Sequence, residues 1–147
     1  MFYIVIAFFI CFIDQASKFC AEKFILTPSG LPVIDGVLHL TLVYNTGIAF
    51  GLFKQYPFVF TVVTAAAIVI IVYFLLQKKY ILNEWESFSL GFILGGSAGN
   101  LIDRLRFGHI VDFIDFRVWP VFNLADSFIL IGAVILVFSI FFKRRNP

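Results

Sequence analysis

The stretch FVFTVVTAAAIVIIVYFLL, residues 58–76, has no charged side chain. An α-helix that crosses the hydrocarbon core of a bilayer needs about 20 mostly apolar residues, because each residue adds about 1.5 Å. We therefore predict a transmembrane helix at 58–76. Three other stretches are apolar over a similar length and predict further transmembrane helices, at 1–26, 87–104 and 123–142.

The composition of the whole chain supports this interpretation. Of its 147 residues, 61% are hydrophobic and only 14% are charged, and the mean hydropathy is +1.00. Soluble domains are about 45–50% apolar and about 25% charged, and disordered chains are more polar still. We expect one integral membrane domain, 1–147, and the net charge of +2 is too small to predict a nucleic-acid partner.

The basic clusters predict how the chain is oriented. Lys78 and Lys79 follow the second predicted helix, and three basic residues at 143–145 follow the fourth. Such clusters beside helix ends indicate the cytoplasmic side, although a plain count of basic residues gives a tie. We expect both termini and an inner loop at 77–86 on the cytoplasmic side. The segments 27–57 and 105–122 are then on the outer side.

The first outer segment predicts a small β structure. Pro28, Gly30, Pro32 and Gly36 precede the alternating run VLHLTLVY at 37–44. Turn residues followed by β-prone residues are typical of a short strand or small sheet. The predicted fold is therefore an all-α membrane protein. It has four transmembrane helices and a small outer-face β segment, a cradle or flap, between helices 1 and 2.

The acidic residues cluster at one predicted depth. Charge within a bilayer is costly and usually faces a bundle interior or a wet cavity. Seven of the nine acidic residues fall at outer helix ends or in outer segments: Asp14, Glu22, Asp35, Asp103, Asp112, Asp115 and Asp126. This clustering predicts a polar site near the outer face.

Two predicted helices carry polar groups toward this site. Asp14 and Lys18 are four residues apart and can pair on one helix face. The pair either neutralises itself near the interface or supports a neighbouring site. Asn100, Asp103 and Arg104 lie where the third helix reaches the outer surface, either as an ordinary polar helix end or as part of the site. Gly91, Gly95 and Gly99 precede them at four-residue spacing, which predicts close helix packing.

Asp126 is the main candidate for a catalytic carboxylate. It follows Asn123 by three residues at the start of the fourth helix, which also fits a capping arrangement. A catalytic role needs a second carboxylate, and Asp112 or Asp115 could supply it. Two carboxylates in one site do not ionise together, so one serves as the acid and the other as the base. A water between them could attack a peptide bond.

Other chemistries have little support in the sequence. His39 and His109 are the two histidines, and their spacing does not match a metal site. The chain contains neither a G-x-S-x-G elbow nor a phosphate-binding or dinucleotide-binding glycine motif. We predict no metal and no cofactor. The rival functions are a proton- or cation-coupled transporter with Asp14, Asp112 and Asp126 as a relay, and a membrane scaffold without chemistry. The charges lie near one surface and no repeat is visible, which disfavours the transporter.

Five motifs occur in order along the chain: DQASK at 14–18, NTGIAFG at 45–51, GNLIDR at 99–104, VDFI at 111–114 and FNLADS at 122–127. Together with the chain length and helix layout, they resemble the lipoprotein signal peptidases (signal peptidase II) over nearly the whole sequence. That resemblance implies a bacterial aspartic endopeptidase in which Asp112 and Asp126 are the catalytic pair. It implies supporting or substrate-binding roles for Asp14, Lys18, Asn45, Gly47, Asn100, Arg104 and Asn123. Asp115 falls outside the pattern.

The resemblance also implies the substrate and the location. Members of that family remove signal peptides from diacylglyceryl-modified prolipoproteins, cutting on the N-terminal side of the lipidated cysteine. We accordingly expect a monomer in the bacterial inner membrane, in contact with lipid, with its active site near the outer leaflet. Asp126, at a helix N-terminus, is expected to be the ionised base, and Asp112 the protonated acid.

Overall fold

The protein is described from a computed structural model, which covers residues 2–27, 29–47, 57–77 and 82–143. The described chain contains four α-helices and three β-strands: α1 (Phe2–Phe24), β1 (Leu31–Ile34), β2 (Leu38–Asn45), α2 (Pro57–Leu76), α3 (Glu84–Phe107), β3 (Ile110–Asp115) and α4 (Leu124–Lys143). Several predicted features lie outside these ranges. They are Met1, Pro28, residues 48–51 of the NTGIAFG motif, residues 78–81 of the predicted inner loop with Lys78 and Lys79, and the basic residues Arg144 and Arg145.

Within the described residues, three helices are long and apolar enough to cross a membrane, over Phe2–Phe24, Phe58–Leu76 and Leu124–Phe142. The expectation of a mostly helical membrane protein is thus confirmed. Helix α3 is as long as these three but carries more polar residues.

Helix α3 is longer than its predicted bounds of 87–104 because both ends are capped. Asn83 accepts a hydrogen bond from the Glu86 backbone amide, and the Glu86 carboxylate accepts one from the Asn83 amide. This reciprocal capping box satisfies two amides at the start of the helix. At the other end Gly108 adopts a left-handed φ of 75° and donates to the Arg104 carbonyl. Helix α1 ends at Phe24, two residues before its predicted end.

The glycines of α3 bring two helices into close contact with it, as their spacing predicts. A Cβ atom at Gly95 would lie 2.6 Å from the Ala7 carbonyl oxygen of α1. A Cβ atom at Gly96 would lie 2.5 Å from the Ala125 carbonyl oxygen of α4. Both contacts are too close for any side chain, so these glycines place α3 between α1 and α4.

The sheet is three-stranded and antiparallel, in the order β1-β2-β3. The predicted β segment between helices 1 and 2 supplies β1 and β2. Strand β3 was not predicted, and it comes from the segment 105–122. Asn45 lies opposite Ile110 and Val43 opposite Asp112, after a bulge in β2 that follows Leu40. The second outer segment therefore extends the sheet.

The sheet packs against the end of α1. Ala21 and Ile25 form a small apolar cluster with Phe113 of β3, and partly buried leucines of β2 pack around it. Elsewhere the burial pattern is inverted relative to a soluble protein. Ten polar or charged residues are buried among the described residues, against eight hydrophobic ones, while many large apolar side chains are exposed. Such a surface suits lipid, and six of the ten buried polar residues lie around one site: Asp14, Lys18, Asn100, Asp103, Asp112 and Asn123.

Candidate active site

Asp112 lies on β3 and is 2% exposed. Each of its carboxylate oxygens accepts one hydrogen bond from an asparagine amide. Asn45 Nδ2 on the neighbouring strand β2 is 2.9 Å from Oδ2, and Asn123 Nδ2 is 2.6 Å from Oδ1. The carboxyl group is therefore fixed from two sides.

The environment of Asp112 keeps its proton bound to an unusually high pH. Burial is the main cause, because water no longer stabilises the charged form, and the charge of Asp126 adds to it. The two asparagine hydrogen bonds oppose this effect. The net result raises the pKa of Asp112 to about 7.

Asp126 occupies the third position of α4 and is only partly buried. The Asn123 side chain accepts a hydrogen bond from the Asp126 backbone amide at 2.9 Å. In return, the Asn123 backbone amide donates to Asp126 Oδ2 at 3.4 Å. The predicted capping arrangement is therefore present. Asn100 Nδ2 of α3 donates to Asp126 Oδ1 at 2.8 Å.

Asn123 connects the two carboxylates. Besides capping α4 and donating to Asp112, its side-chain amide lies 3.2 Å from the Asn100 side-chain oxygen and 3.3 Å from the Val111 carbonyl. It is completely buried. One side chain thus fixes the start of α4 relative to β3.

Lys18 of α1 contacts three polar side chains that support the site. Its ammonium group lies 2.8 Å from Asp14 Oδ2 and 2.7 Å from Asp103 Oδ2, and it donates to the Asn100 side-chain oxygen at 2.9 Å. An ammonium group has three protons, and these three partners account for all of them. Asn100 can therefore present its amide to Asp126 in only one orientation.

The Asp14–Lys18 pair connects three helices, so it is more than a local pair on one helix. Asp14 Oδ1 accepts a hydrogen bond from the Ala125 backbone amide at 2.9 Å, at the start of α4. Gly99 of α3 faces Asp14, and a Cβ atom there would overlap the Asp14 carboxylate. The absence of a side chain at Gly99 lets Asp14 reach α4.

Two other predicted residues, Gly47 and Arg104, lie at the edge of the site. The Gly47 amide donates to the Asn45 side-chain oxygen at 3.0 Å, which turns the Asn45 amide toward Asp112. Arg104 donates to the Thr64 hydroxyl of α2 at 3.0 Å, with its guanidinium 6.0 Å from the centre of the Phe60 ring. Among the described residues, no hydrogen bond joins Arg104 to Asp112 or Asp126.

Two supporting residues were given no role from the sequence: Asp103, which was only placed at the polar end of the third helix, and Gln15. Asp103 Oδ2 accepts a hydrogen bond from the Val111 amide at 3.2 Å, directly before Asp112. Gln15 Nε2 donates to Asp103 Oδ1 at 2.7 Å. Both belong to motifs quoted above, and an acid inside an apolar helix, three residues after Asn100, was the available signal.

Asp115, the other candidate partner for Asp126, lies in a different set of contacts. Thr41 donates to its carboxylate at 2.8 Å, and Arg117 contacts it through its backbone amide at 2.8 Å and its guanidinium at 3.4 Å. Burial opposes ionisation here, but these hydrogen bonds and the Arg117 charge hold the pKa of Asp115 below its usual value. Asp112 is therefore the carboxylate that shares Asn123 with Asp126.

Across the described ranges, no group of three or more His, Cys, Asp or Glu has an arrangement that could hold a metal ion.

Comparison with known proteins identifies the family to which this site belongs. Residues 6–142 match the family described as Signal peptidase (SPase) II. The chain belongs to the signal peptidase II family. It is 44% identical to the lipoprotein signal peptidase of Caldanaerobacter subterraneus subsp. tengcongensis over 141 residues, which is 95% of this chain and 96% of that protein. It is 42% identical to the lipoprotein signal peptidase of Halothermothrix orenii, over 99% of this chain and 98% of that protein.

Two solved structures of bacterial membrane enzymes share the fold of this chain. A bacterial membrane enzyme solved by the in meso method at 2.3 Å resolution matches with a TM-score of 0.88 and 28% identity, over 98% of this chain and 90% of that one. A second bacterial membrane enzyme, solved by the same method at 1.9 Å resolution, matches with a TM-score of 0.82 and 29% identity, over 94% of this chain and 91% of that one. The family resemblance carried by the five motifs is confirmed, and so is the prediction of a peptidase.

Proposed function

We propose that this chain removes the signal peptide from diacylglyceryl-modified prolipoproteins by cutting on the N-terminal side of the lipidated cysteine. Membership of the signal peptidase II family supports this function, as do relatives named lipoprotein signal peptidase that match along nearly their whole length. The comparisons offer no support for a transporter, and we do not propose one.

Asp112 and Asp126 are the catalytic pair in this proposal. The observation that carries it is the difference between their environments on either side of Asn123. Asp112 is buried, with its pKa raised to about 7, so a large share of the molecules hold this proton at neutral pH. Asp126 is partly exposed at a helix N-terminus. It accepts hydrogen bonds from the Asn100 side-chain amide and the Asn123 backbone amide. These donors and the helix dipole favour a carboxylate there.

The reaction then needs one water and no covalent intermediate. Asp126 takes a proton from the water, whose oxygen attacks the scissile carbonyl carbon, while Asp112 gives its proton to the carbonyl oxygen. The resulting tetrahedral species breaks at its C–N bond when the proton held by Asp126 passes to the leaving nitrogen. Asp112 recovers its proton as the new carboxyl group forms. The products are the free signal peptide and a new amino terminus on the lipidated cysteine.

The remaining site residues position this pair. Asn45 and Asn123 hold Asp112, Gly47 orients Asn45, and Asn100 holds Asp126. Asp14 and Lys18 fix Asn100 and the start of α4. Arg104, beside α2, is free of direct bonds to the described pair and is proposed to contact substrate.

We propose further that all four helices cross the bacterial inner membrane, as one domain over 1–147. Helix α3 packs between α1 and α4 and buries the polar residues Ser89, Ser97, Asn100 and Asp103, which supports a fourth crossing despite its composition. In this proposal the protein is a monomer in contact with lipid. Both termini are cytoplasmic, and the active site lies near the outer leaflet beside the lipid anchor of the substrate.

A gel-shift cleavage assay tests the function. The purified protein in detergent receives a diacylglyceryl-modified prolipoprotein, with and without a chelator. We expect cleavage that the chelator does not affect, and we expect loss of cleavage in Asp112→Asn and in Asp126→Asn. Failure of the folded parent to cleave several lipidated substrates would overturn the proposal.

Asp115→Asn is the matched control. It removes a buried carboxylate from the same strand, three residues after Asp112, but among residues that do not contact the pair. We expect this variant to cleave the substrate. Equal loss of cleavage in all three variants would point to a general effect of the sheet and not to a catalytic pair.

A further inference from the structure

The loop between β3 and α4 presents apolar side chains outward. Val118 is 91% exposed, Trp119 is 61% exposed and Phe116 is 40% exposed. We call residues 116–119 the interfacial loop. Apolar residues exposed singly are ordinary, but several exposed close together mark a contact surface.

Arg117, in the middle of this loop, is turned away from its tip. It has a positive φ of 64°, which is unusual for a residue other than glycine. Its amide donates to Asp115 Oδ1 at 2.8 Å, and its guanidinium lies 3.4 Å from Asp115 Oδ2 and 2.7 Å from His39 Nδ1. The left-handed backbone thus brings the charge back onto the sheet and leaves the apolar neighbours at the tip.

The position of the loop points to lipid as the covering partner. Trp119 precedes Leu124, the first residue of a helix that is long and apolar enough to cross a membrane, by only five residues. Nearby, the end of α1 and the residues that follow it also expose apolar side chains, with Phe24 at 64% and Leu26 at 80%. The apolar tip therefore continues the lipid-facing surface at the depth where α4 begins.

The β1–β2 turn extends this surface. Because His39 of β2 lies opposite Asp115 of β3, the turn at 35–37 is at the same end of the sheet as the interfacial loop. Val37 in that turn is 53% exposed and Ile34 before it is 55% exposed. Two neighbouring tips thus present apolar groups along one edge.

We propose that the interfacial loop inserts into the membrane interface beside the start of α4, with the Trp119 ring among the headgroups and Val118 below it. Tryptophan is enriched at this depth because its ring is apolar and its N–H is polar. The inference goes beyond the proposed function and requires only that the protein spans a membrane. Since β3 leads directly into the loop, this anchor also sets the depth of Asp112.

Tryptophan fluorescence tests the proposal, because the chain contains only Trp85 and Trp119. The Trp85→Phe variant is reconstituted into phosphatidylcholine vesicles whose acyl chains carry bromine at shallow or deep positions. We expect Trp119 to lose most of its fluorescence with shallow bromine, less with deep bromine, and little with aqueous iodide. Quenching by iodide alone would place the loop in water and overturn the proposal. Protection from both quenchers would show that protein covers the loop, which also overturns it.

A paired substitution isolates the contribution of the tip. Adding Val118→Asp to Trp85→Phe places a charge at the most exposed position of the loop. We expect bromine quenching of Trp119 to fall and iodide quenching to rise, and the milder Val118→Ser to change both less. The variant Trp119→Phe keeps Trp85 as its one tryptophan, and quenching of Trp85 by bromine shows whether the protein is inserted in the vesicles. Unchanged quenching in both Val118 variants would overturn the proposal.

Discussion

The side-chain amide of Asn123 lies 2.6 Å from the Asp112 carboxylate, and both residues are buried. The same side chain accepts a hydrogen bond from the Asp126 backbone amide and so caps α4. Asn123 therefore has two separable roles. Its oxygen stabilises a helix, and its amide holds a carboxyl group of the proposed catalytic pair.

Two substitutions at Asn123 separate these roles. Ser can replace Asn as a helix cap but cannot reach Asp112 with an amide proton, whereas Ala loses both functions. We expect both variants to lose about 10²-fold in kcat, the effect of misplacing a catalytic group by ~1 Å. Only Asn123→Ala should lose a further ~1 kcal/mol of stability, the usual value of a cap. Cleavage rates and thermal unfolding in detergent measure the two effects, and full activity of Asn123→Ser would contradict the role assigned to the amide.

The raised pKa of Asp112 predicts how stability depends on pH. The folded protein holds this proton up to pH ~7, whereas an unfolded chain releases it near pH ~4. The contribution of Asp112 to the free energy of unfolding is therefore fully present below pH ~4, is lost as the pH rises toward 7, and is constant above that.

Asp112→Asn removes this dependence because its amide carries no charge at any of these pH values. We expect the variant to be inactive yet more stable than the parent at pH 8, with the melting temperature raised by several degrees. At pH 4 the difference should be small. A difference in melting temperature that does not change between these pH values would show that folding does not raise the pKa of Asp112.

Asp126→Asn should lower the pKa of Asp112, because the charge of Asp126 is one of the two causes that raise it. Infrared difference spectra between the parent and Asp112→Asn identify the protonated carboxyl band of Asp112. We expect this band to titrate near pH 7 in the parent and at lower pH in Asp126→Asn. A band that vanishes in Asp126→Asn and survives in Asp112→Asn would reverse the assignment of acid and base.

Lys18 provides the positive charge between two buried carboxylates, so its loss should be severe. Lys18→Met leaves Asp14 and Asp103 buried without their counter-charge, which destabilises proteins by about 3–5 kcal/mol. The triple variant Asp14→Asn, Lys18→Met, Asp103→Asn carries no such charges, and we expect it to recover part of the lost stability. Denaturation in detergent, followed by circular dichroism, compares the two. Equal stability of Lys18→Met and the parent would argue against a buried ion pair.

Gly99 tests whether Asp14 needs its close approach to α3. A methyl group there overlaps the Asp14 carboxylate, so Gly99→Ala should displace Asp14 from Lys18 and from the start of α4. We expect cleavage to fall at least about tenfold, as displacement by ~1 Å at a catalytic site commonly does. Gly108→Ala is the control, because its Cβ has open space and only the left-handed backbone opposes it, at about 1–2 kcal/mol. Equal cleavage by the two variants would show that the site does not depend on the close approach of Asp14 to Gly99.

Local patterns in the sequence predicted much of this arrangement. Contacts three or four residues apart on a helix depend on helix geometry alone, and the Asp14–Lys18 pair and the Asn123–Asp126 cap are contacts of this kind. The glycine spacing of α3 predicted close packing for the same reason. Five motifs in order were enough to identify the family before any fold was known.

Strand β3 and its consequences could not be predicted in this way. Its partner β2 is more than 60 residues away in the chain, and a bulge in β2 sets their register. Asp112 and Asp115 are three residues apart, so a regular strand directs them to opposite faces. From the residues alone either could have partnered Asp126.

The helical membrane protein, the helix-local polar pairs and the family were predictable because they depend on composition and on neighbours within one or two turns. The contact of Asp112 with Asn123, the support of the start of β3 by Asp103 and Gln15, and the direction of Arg104 toward α2 were not predictable. Those contacts join different elements of the chain. Their geometry depends on how helices and strands pack together, which no local pattern specifies.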